Sequence, residues 1–213
     1  MKSEMKILLA DDHAVMRSGL KLILVEAFKE ARFGEAEDCR QALEAALAHH
    51  WDLLILDVSM PGRGGLDVLK ELKAQRPKLP VLVLSMYAER PFAVRAFRAG
   101  ASGYLTKASA GTELVRAVER ILAGGRYVSA VLAEQLATEL GRTGNGLLHE
   151  RLSAREFEIL RLIASGKTVK EIAAELARSG NTISTYRTRI LEKMKMRTSA
   201  ELTHYAVSNK LVE

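Results

Sequence analysis

The stretch "LLILDVSMPGRGGLDVL", residues Leu53–Leu69, decides the fold that the sequence predicts. Its nearly unbroken apolar run ends in one carboxylate, Asp57, and a proline and glycines then turn the chain into an amphipathic segment. A charged group at the end of a buried strand costs free energy unless something uses it. The pattern therefore predicts a buried strand, a turn and a helix, with Asp57 as a candidate functional residue.

The same strand-then-helix pattern occurs five times between residue 5 and about residue 123. Fully apolar runs such as "VLVLS" are typical of strands that are buried on both faces of a sheet. Five such units predict an α/β fold, a doubly wound five-stranded parallel sheet with helices on both faces. Ligands of such sheets bind at the carboxyl ends of the strands.

The last third of the chain has a purely helical pattern, which predicts a second, all-α domain of four helices. Its helix starts carry three capping-box patterns, Ser153 with Glu156, Thr168 with Glu171, and Thr198 with Glu201. The predicted helices span residues 153–164, 168–177, 180–194 and 198–208. A tight "RSG" joins the second to the third, which is typical of a helix-turn-helix whose second helix can enter the DNA major groove.

The boundary between the domains is predicted at a flexible "GRTGNG" over residues 141–146. The first domain is then expected over 1–125 and the second over 151–213. A linker over 126–150 includes a helix predicted at 130–140.

Composition and charge restrict the function classes. The chain has 213 residues, 48% of them apolar and 27% charged, and its single cysteine, Cys39, excludes an internal disulfide. With no signal peptide or long apolar run, these features predict a soluble protein of the reducing cytoplasm that has no membrane partner. Residues 151–213 carry +5 of the total formal charge of +6, which favours a polyanionic partner for the second domain.

Polar residues follow the predicted strands at one edge of the sheet, and they are Asp11, Asp12, Asp57, Ser85 and Lys107. Three carboxylates close together repel one another, and Mg²⁺, which prefers oxygen ligands, relieves that repulsion. A carboxylate beside Mg²⁺ is a good phosphoryl acceptor. Taken singly, each residue also has an ordinary explanation, such as a helix cap for Asp12 or a surface lysine for Lys107.

The motifs "LLADDH", "LLILDVSMPGRGG", "VLVLS" and "GYLTK" resemble the receiver domain of two-component response regulators, a flavodoxin-like fold. The resemblance implies that Asp57 accepts a phosphoryl group from a sensor histidine kinase. It implies that Asp12, Asp57 and the backbone carbonyl of Ser59 bind Mg²⁺ directly, and that Asp11 acts on the metal mainly through water. Ser85 and Lys107 would hold the phosphoryl group, and Tyr104 would be an aromatic switch that moves inward when Ser85 shifts.

Residues 152–206 resemble the LuxR-type DNA-binding domain, and with the receiver they indicate the NarL/FixJ class of response regulators. The residues implied in DNA binding are Asn181, Thr182, Ser184, Thr185, Arg187, Thr188, Arg189 and Lys193. Ser184 stands where many relatives have a lysine, and Gly180 is a weak helix start. On the helical pattern alone, a bundle whose polar face only meets water stays open.

The resemblance implies a phosphorylation-dependent DNA-binding transcriptional regulator, the output half of a two-component system. Its expected partners are the kinase, double-stranded DNA, RNA polymerase and, after phosphorylation, a second copy of the chain. The helix at 198–208, with Leu202, Tyr205 and Ala206, is a candidate for dimer contacts, although these side chains could equally be core. The expected chemistry is limited to autophosphorylation from a phosphodonor and slow self-dephosphorylation, so the chain is not expected to be an enzyme.

Two other functions are compatible with parts of the pattern. A phosphohydrolase of the haloacid-dehalogenase kind would need a second Asp two residues after the nucleophile, but Val58 and Ser59 follow Asp57. A receiver whose helical tail binds only protein would show weak, salt-insensitive DNA binding. The five histidines show no ligand spacing, so zinc is not expected, and His13 is interpreted as a helix-start residue at the rim.

Overall fold

The structure is a computed structural model that describes residues 4–60, 64–86, 90–129, 132–133, 148–209 and 211–212. It divides into two compact units, Met1–Thr143 and Gly144–Glu213. Within the described part of the chain, no helix has the length and hydropathy of a membrane span.

The first unit is a five-stranded parallel sheet. Its strands are β1 (Lys6–Ala10), β2 (Arg32–Ala36), β3 (Leu53–Asp57), β4 (Val81–Ser85) and β5 (Gly103–Thr106), in the order β2-β1-β3-β4-β5. The helices that alternate with them are α1 (Ala14–Ala27), α2 (Cys39–Ala48), α3 (Gly65–Gln75), α4 (Arg90–Arg98) and α5 (Ala110–Leu122). This architecture confirms the predicted doubly wound α/β fold.

The apolar runs form the central strands because helices cover both faces of the sheet. Every residue of β3 and of β4 is buried, as the unbroken apolar runs predict. The parallel register pairs Asp57 with Leu84 and Ser85 with Thr106, so the polar ends of three strands meet at one edge of the sheet.

The glycines after Asp57 allow helix α3 to begin close to the end of β3. A Cβ atom added to Gly65 would lie 2.6 Å from the Cα atom of Val58, which is too close for any side chain. The last glycine of the predicted turn, Gly65, is therefore required because only a residue without a side chain can pack this closely against Val58.

The second unit is helical, as predicted. A 3₁₀ turn (Leu148–Arg151) precedes α6 (Ala154–Ala164), α7 (Val169–Glu175), α8 (Gly180–Met194) and α9 (Ser199–Ser208). Its buried residues include Leu152, Phe157, Leu160, Ile172, Ile183, Ile190, Met194, Leu202 and Ala206.

Two of the three predicted capping boxes form completely, and the third forms only the hydrogen bond to its N-cap side chain. Complete capping boxes start α6 and α7, at Ser153 and Thr168. At α9, Thr198 accepts from the backbone N–H of Glu201, but the Glu201 carboxylate accepts from the backbone N–H of Arg197. A single Ser179 cap, in which its side chain accepts from Thr182 N–H, starts α8 at Gly180.

Helix α7 ends two residues earlier than predicted. Ala177 has a φ of 49°, which lies outside the helical region, and Arg178 N–H donates back to the Ala173 carbonyl. The periodicity that predicts the helix carries no information about this left-handed turn.

The predicted linker lies mostly outside the described residues. Of the helix predicted at 130–140 only residues 132 and 133 are described, and the "GRTGNG" segment is not. The boundaries 1–125, 126–150 and 151–213 therefore stay predictions.

Candidate functional site

An acidic pocket forms where β1 and β3 end. Asp11 and Asp57 are fully buried, whereas the side chain of Asp12 is 25% exposed. One ligand atom from each of Asp11, Asp12, His13 and Asp57 lies within 4.8 Å of the others. The fold thus brings together the three carboxylates that the strand ends predict, and it adds an imidazole.

Lys107 supplies a cation to this pocket from the loop after β5. Its Nζ lies 2.7 Å from Asp57 Oδ2 and 2.7 Å from Asp11 Oδ2, and the side chain is only 9% exposed. The backbone N–H of Lys107 donates to the Ser85 carbonyl at 2.8 Å, which anchors the lysine to the end of β4.

The ionisation of the pocket reflects burial and these ion pairs. Burial raises the pKa of Asp57 above its usual value, although the Lys107 ammonium and the Ser59 N–H, 2.8 Å from Asp57 Oδ1, both oppose this. Burial alone would lower the pKa of Lys107, but its contacts with Asp57 and Asp11 outweigh this and raise it. Lys107 is therefore a stable ammonium at neutral pH.

The donor set fits a hard divalent cation. Three carboxylates face one ammonium, which leaves surplus negative charge in a small and mostly buried volume. Carboxylate oxygens are the ligands that Mg²⁺ prefers. Ser59 contributes its N–H to Asp57, and the use of its carbonyl as a metal ligand stays a prediction.

His13 lies closer to the carboxylates than its interpretation as a rim residue suggested. It is the N-cap of α1 and its side chain is 71% exposed, which fits a helix start at the rim. However, its Nδ1 is 2.9 Å from Asp12 Oδ1 and 3.3 Å from Asp11 Oδ1. The direct adjacency of the three residues in sequence was the available signal.

Arg17, a buried residue of α1, contacts the pocket through the backbone of Asp11, and the sequence patterns did not predict this role. Its guanidinium is buried and donates to the Asp11 carbonyl at 2.7 Å, to Glu37 at 2.9 Å and to Glu35 at 3.4 Å. Arg17 occupies the same helical face as the core residues Leu20 and Leu24, and a cation on an apolar face was the overlooked signal.

Replacing Arg17 with Gln is expected to lower the free energy of unfolding of the first unit by about 1.5–3 kcal/mol, because charged hydrogen bonds are lost from a buried site. Urea unfolding followed by fluorescence measures this, since the only tryptophan, Trp51, lies in this unit. Lys21→Gln is the matched control: Lys21 also pairs with Glu35, but at the surface, so its loss should cost less than about 1 kcal/mol. Equal losses in the two variants would contradict the supporting role of Arg17.

Ser85 and Tyr104 are both buried in the first unit. Ser85 ends β4, and Tyr104 lies in β5, where its side chain is 1% exposed. The structure therefore shows the inward position of Tyr104, the position that the predicted switch would reach.

In the second unit, helix α8 presents a polar face opposite its buried stripe of Ile183, Ile190 and Met194. Seven of the eight predicted DNA contacts are exposed, namely Asn181, Ser184, Thr185, Arg187, Thr188, Arg189 and Lys193, and Thr182 is half-buried. Most of the set thus lies on one accessible helix surface.

Two of the cations on this face have partners within the unit. Arg187 Nε donates to Ser199 Oγ at 2.8 Å, and Lys193 Nζ lies 2.7 Å from the buried carboxylate of Glu156. Burial would raise the pKa of Glu156, but the Lys193 ion pair and the Ser153 N–H outweigh it and lower the pKa. Lys193 therefore links α8 to α6 as well as facing solvent.

Comparisons with known proteins match both units. The family model of the response regulator receiver domain matches residues 7–119, and that of bacterial regulatory proteins of the luxR family matches residues 150–206. Response regulator GacA of Pseudomonas aeruginosa is 34% identical over 209 residues, 98% of each chain. Response regulator UvrY of Escherichia coli K12 is 32% identical over 206 residues, 96% of this chain and 94% of UvrY.

A solved structure with a similar fold contains DNA. It is RcsB from Salmonella enterica serovar Typhimurium, bound to a promoter in the presence of phosphomimetic BeF₃⁻. The identity is 28% and the TM-score is 0.60, over 95% of this chain and 98% of RcsB. The similarity therefore extends across both units and the segment between them.

Proposed function

Because the chain belongs to the two-component response regulators, with a receiver domain followed by a LuxR-type DNA-binding domain, we propose that Asp57 is its phosphoacceptor and that phosphorylation there controls DNA binding by α8. Response regulators of this class are phosphorylation-dependent regulators of transcription, and neither matched family is one of enzymes. The observation that carries the proposal is the placement of Asp57, buried at a strand end between Lys107 and two further carboxylates.

The phosphoryl group would come from a phosphohistidine of a sensor kinase. An oxygen of the Asp57 carboxylate attacks phosphorus, the P–N bond breaks, and the imidazole leaves with its electron pair and takes up a proton. Lys107 already contacts Asp57 and would follow the negative charge onto the phosphoryl oxygens. Asp11, Asp12 and Asp57 would hold Mg²⁺, which when bound neutralises charge on those oxygens.

Phosphorylation would change the balance of charges in the pocket. It adds up to about two negative charges and three strong acceptor oxygens. Ser85 lies at the end of the neighbouring strand and would donate to one of these oxygens. In that position Ser85 would hold Tyr104 inward, where its side chain already lies in this structure.

The output would be binding of double-stranded DNA by the exposed face of α8. The RcsB structure bound to a promoter with a phosphomimetic supports this, because RcsB resembles the present chain across both domains. We further propose that the phosphorylated form dimerises, placing two α8 helices on half-sites about 34–36 Å apart. Contact with RNA polymerase and a cytoplasmic location complete the proposal, since a transcription regulator acts where the DNA is.

The test is the intact mass of the full chain after incubation with acetyl phosphate and Mg²⁺. The wild type should gain one phosphoryl group and Asp57→Asn should gain none. Asp52→Asn is the matched control, because it makes the same change at the opposite end of β3, and it should be phosphorylated like the wild type. An adduct on Asp57→Asn, or none on the folded wild type, would refute Asp57 as the acceptor.

A further inference from the structure

We propose that His13 is a ligand of the divalent cation in the acidic pocket, which gives the pocket a selectivity for borderline transition-metal ions such as Co²⁺ and Ni²⁺. The inference rests on the proposed function, because it adds one ligand to the cation site of the receiver domain. Carboxylates alone make a site suited to Mg²⁺, whereas an imidazole suits nickel, copper, iron and zinc.

The imidazole of His13 already has the spacing of a ligand. Its Nδ1 is 2.9 Å from Asp12 Oδ1 and 3.3 Å from Asp11 Oδ1. An octahedral ion with bonds of about 2.1 Å holds neighbouring ligand atoms about 3.0 Å apart. Both distances are therefore those of adjacent ligand atoms in one coordination shell.

Lys107 and His13 contact different oxygens of the pocket. The Lys107 ammonium lies against Asp11 Oδ2 and Asp57 Oδ2, whereas His13 Nδ1 lies against the Oδ1 atoms of Asp11 and Asp12. A cation that binds His13 Nδ1 and the Oδ1 atoms of Asp11, Asp12 and Asp57 therefore does not need to displace Lys107 from the Oδ2 atoms. The protein contributes a mixed nitrogen and oxygen donor set on that side of the pocket.

The backbone holds His13 at this place while its ring stays adaptable. The His13 N–H donates to Asp11 Oδ1 at 2.9 Å, and the His13 carbonyl accepts from the Arg17 N–H at 3.1 Å as α1 begins. Because 71% of the side chain is exposed, the ring can turn toward a metal without disturbing the core.

The effect of His13 must be separated from a general trend. Any site of oxygen and nitrogen ligands binds divalent ions more tightly along the series from manganese to copper. A higher affinity for Ni²⁺ than for Mg²⁺ is thus not evidence for an imidazole ligand. What identifies His13 is the loss of that preference when the imidazole is removed.

The experiment is calorimetric titration of the full chain with Ni²⁺ and, separately, with Mg²⁺. In His13→Gln the Ni²⁺ dissociation constant should rise at least roughly tenfold, the loss typical even of residues that only orient a metal ligand. The Mg²⁺ dissociation constant should stay within about twofold. His204→Gln, which removes an exposed histidine of α9, is the matched control and should bind both ions like the wild type.

The outcomes separate this inference from the proposed function. Unchanged Ni²⁺ binding in His13→Gln overturns the ligand role, and an equal loss of Ni²⁺ and Mg²⁺ overturns it too, because it would indicate that His13 only positions Asp12. A wild type that binds neither ion would instead refute the receiver pocket itself.

The absorption spectrum of bound Co²⁺, which responds to imidazole ligation, should differ between the wild type and His13→Gln. Urea unfolding by Trp51 fluorescence checks that the variant is folded.

Discussion

Replacing Lys107 with Met is expected to lower the free energy of unfolding of the receiver domain by about 3–5 kcal/mol in the absence of divalent cations. Methionine keeps much of the aliphatic volume but removes the ammonium that lies 2.7 Å from both Asp57 and Asp11. Two buried carboxylates then lose their shared countercharge, and the cost of desolvating them is no longer offset.

The loss of unfolding free energy in Lys107→Met should depend on pH, and the protonation of Asp57 determines whether the loss grows or shrinks. Burial raises the pKa of Asp57, and in Lys107→Met the main opposing influence is gone, so the folded-state pKa lies further above the unfolded-state value. Below its folded-state pKa the carboxyl is protonated and carries no charge to desolvate. The penalty is therefore greatest at neutral pH and shrinks as the pH falls through the raised pKa.

A second substitution distinguishes this electrostatic cause from lost packing. Asp57→Asn in the Lys107→Met background removes one of the two orphaned carboxylates and should recover part of the lost stability, with a coupling of about 0.5–3 kcal/mol. Asp57→Asn alone should change stability much less, because Lys107 keeps Asp11 as its partner. Urea unfolding with a chelator present, followed by Trp51 fluorescence, measures all four proteins. Strictly additive effects would show that the Lys107 ammonium does not stabilise Asp57.

The receiver pocket could be predicted because its residues stand at strand ends, which apolar runs mark clearly. Asp11, Asp57 and Lys107 meet for topological reasons, and a parallel sheet leaves them few other places. Arg17 could not be found in this way, since its acidic partners are distant in sequence: Glu35 lies in β2 and Glu37 in the connection after it. Its position on a buried helix face predicts burial but does not identify its partners.

In the helical domain too, local features could be predicted from sequence and contacts between distant residues could not. Caps at Ser153, Thr168 and Thr198 are local and follow from sequence, so these three helix starts are correct. The early end of α7 depends on the left-handed backbone of Ala177, a residue type that rarely adopts it, and no local pattern indicates that turn. The ion pair between Lys193 and Glu156 joins residues 37 positions apart, so only tertiary packing reveals it.

Replacing both Arg187 and Arg189 with Ala is expected to weaken DNA binding about 60-fold at 0.1 M salt and to lower the slope of log affinity against log salt by about 1.8. Each arginine that neutralises one phosphate releases about 0.9 counterion, which corresponds to about eightfold in affinity per contact at that salt concentration. Both side chains are exposed, and Arg189 projects away from the buried stripe of α8. Arg187 follows Ile183 by four residues and precedes Ile190 by three, so it lies at the edge of that stripe.

A random-sequence duplex is the suitable probe, because phosphate contacts act on any sequence and fluorescence anisotropy over a range of salt gives affinity and slope together. The matched control is Arg116→Ala with Arg126→Ala, which removes the same number of charges from the exposed surface of the first unit and should leave the slope unchanged. If both double variants lose affinity equally, only net charge matters and the proposed face of α8 is wrong. Weak DNA binding with a shallow slope in the wild type would refute DNA binding by α8 and favour a helical domain that binds protein.

The single variants separate structure from DNA contact. Arg187 also donates a hydrogen bond to Ser199, so a loss of unfolding free energy in Arg187→Ala alone would be a structural effect. Arg189→Ala lacks this complication and reports the DNA contact directly.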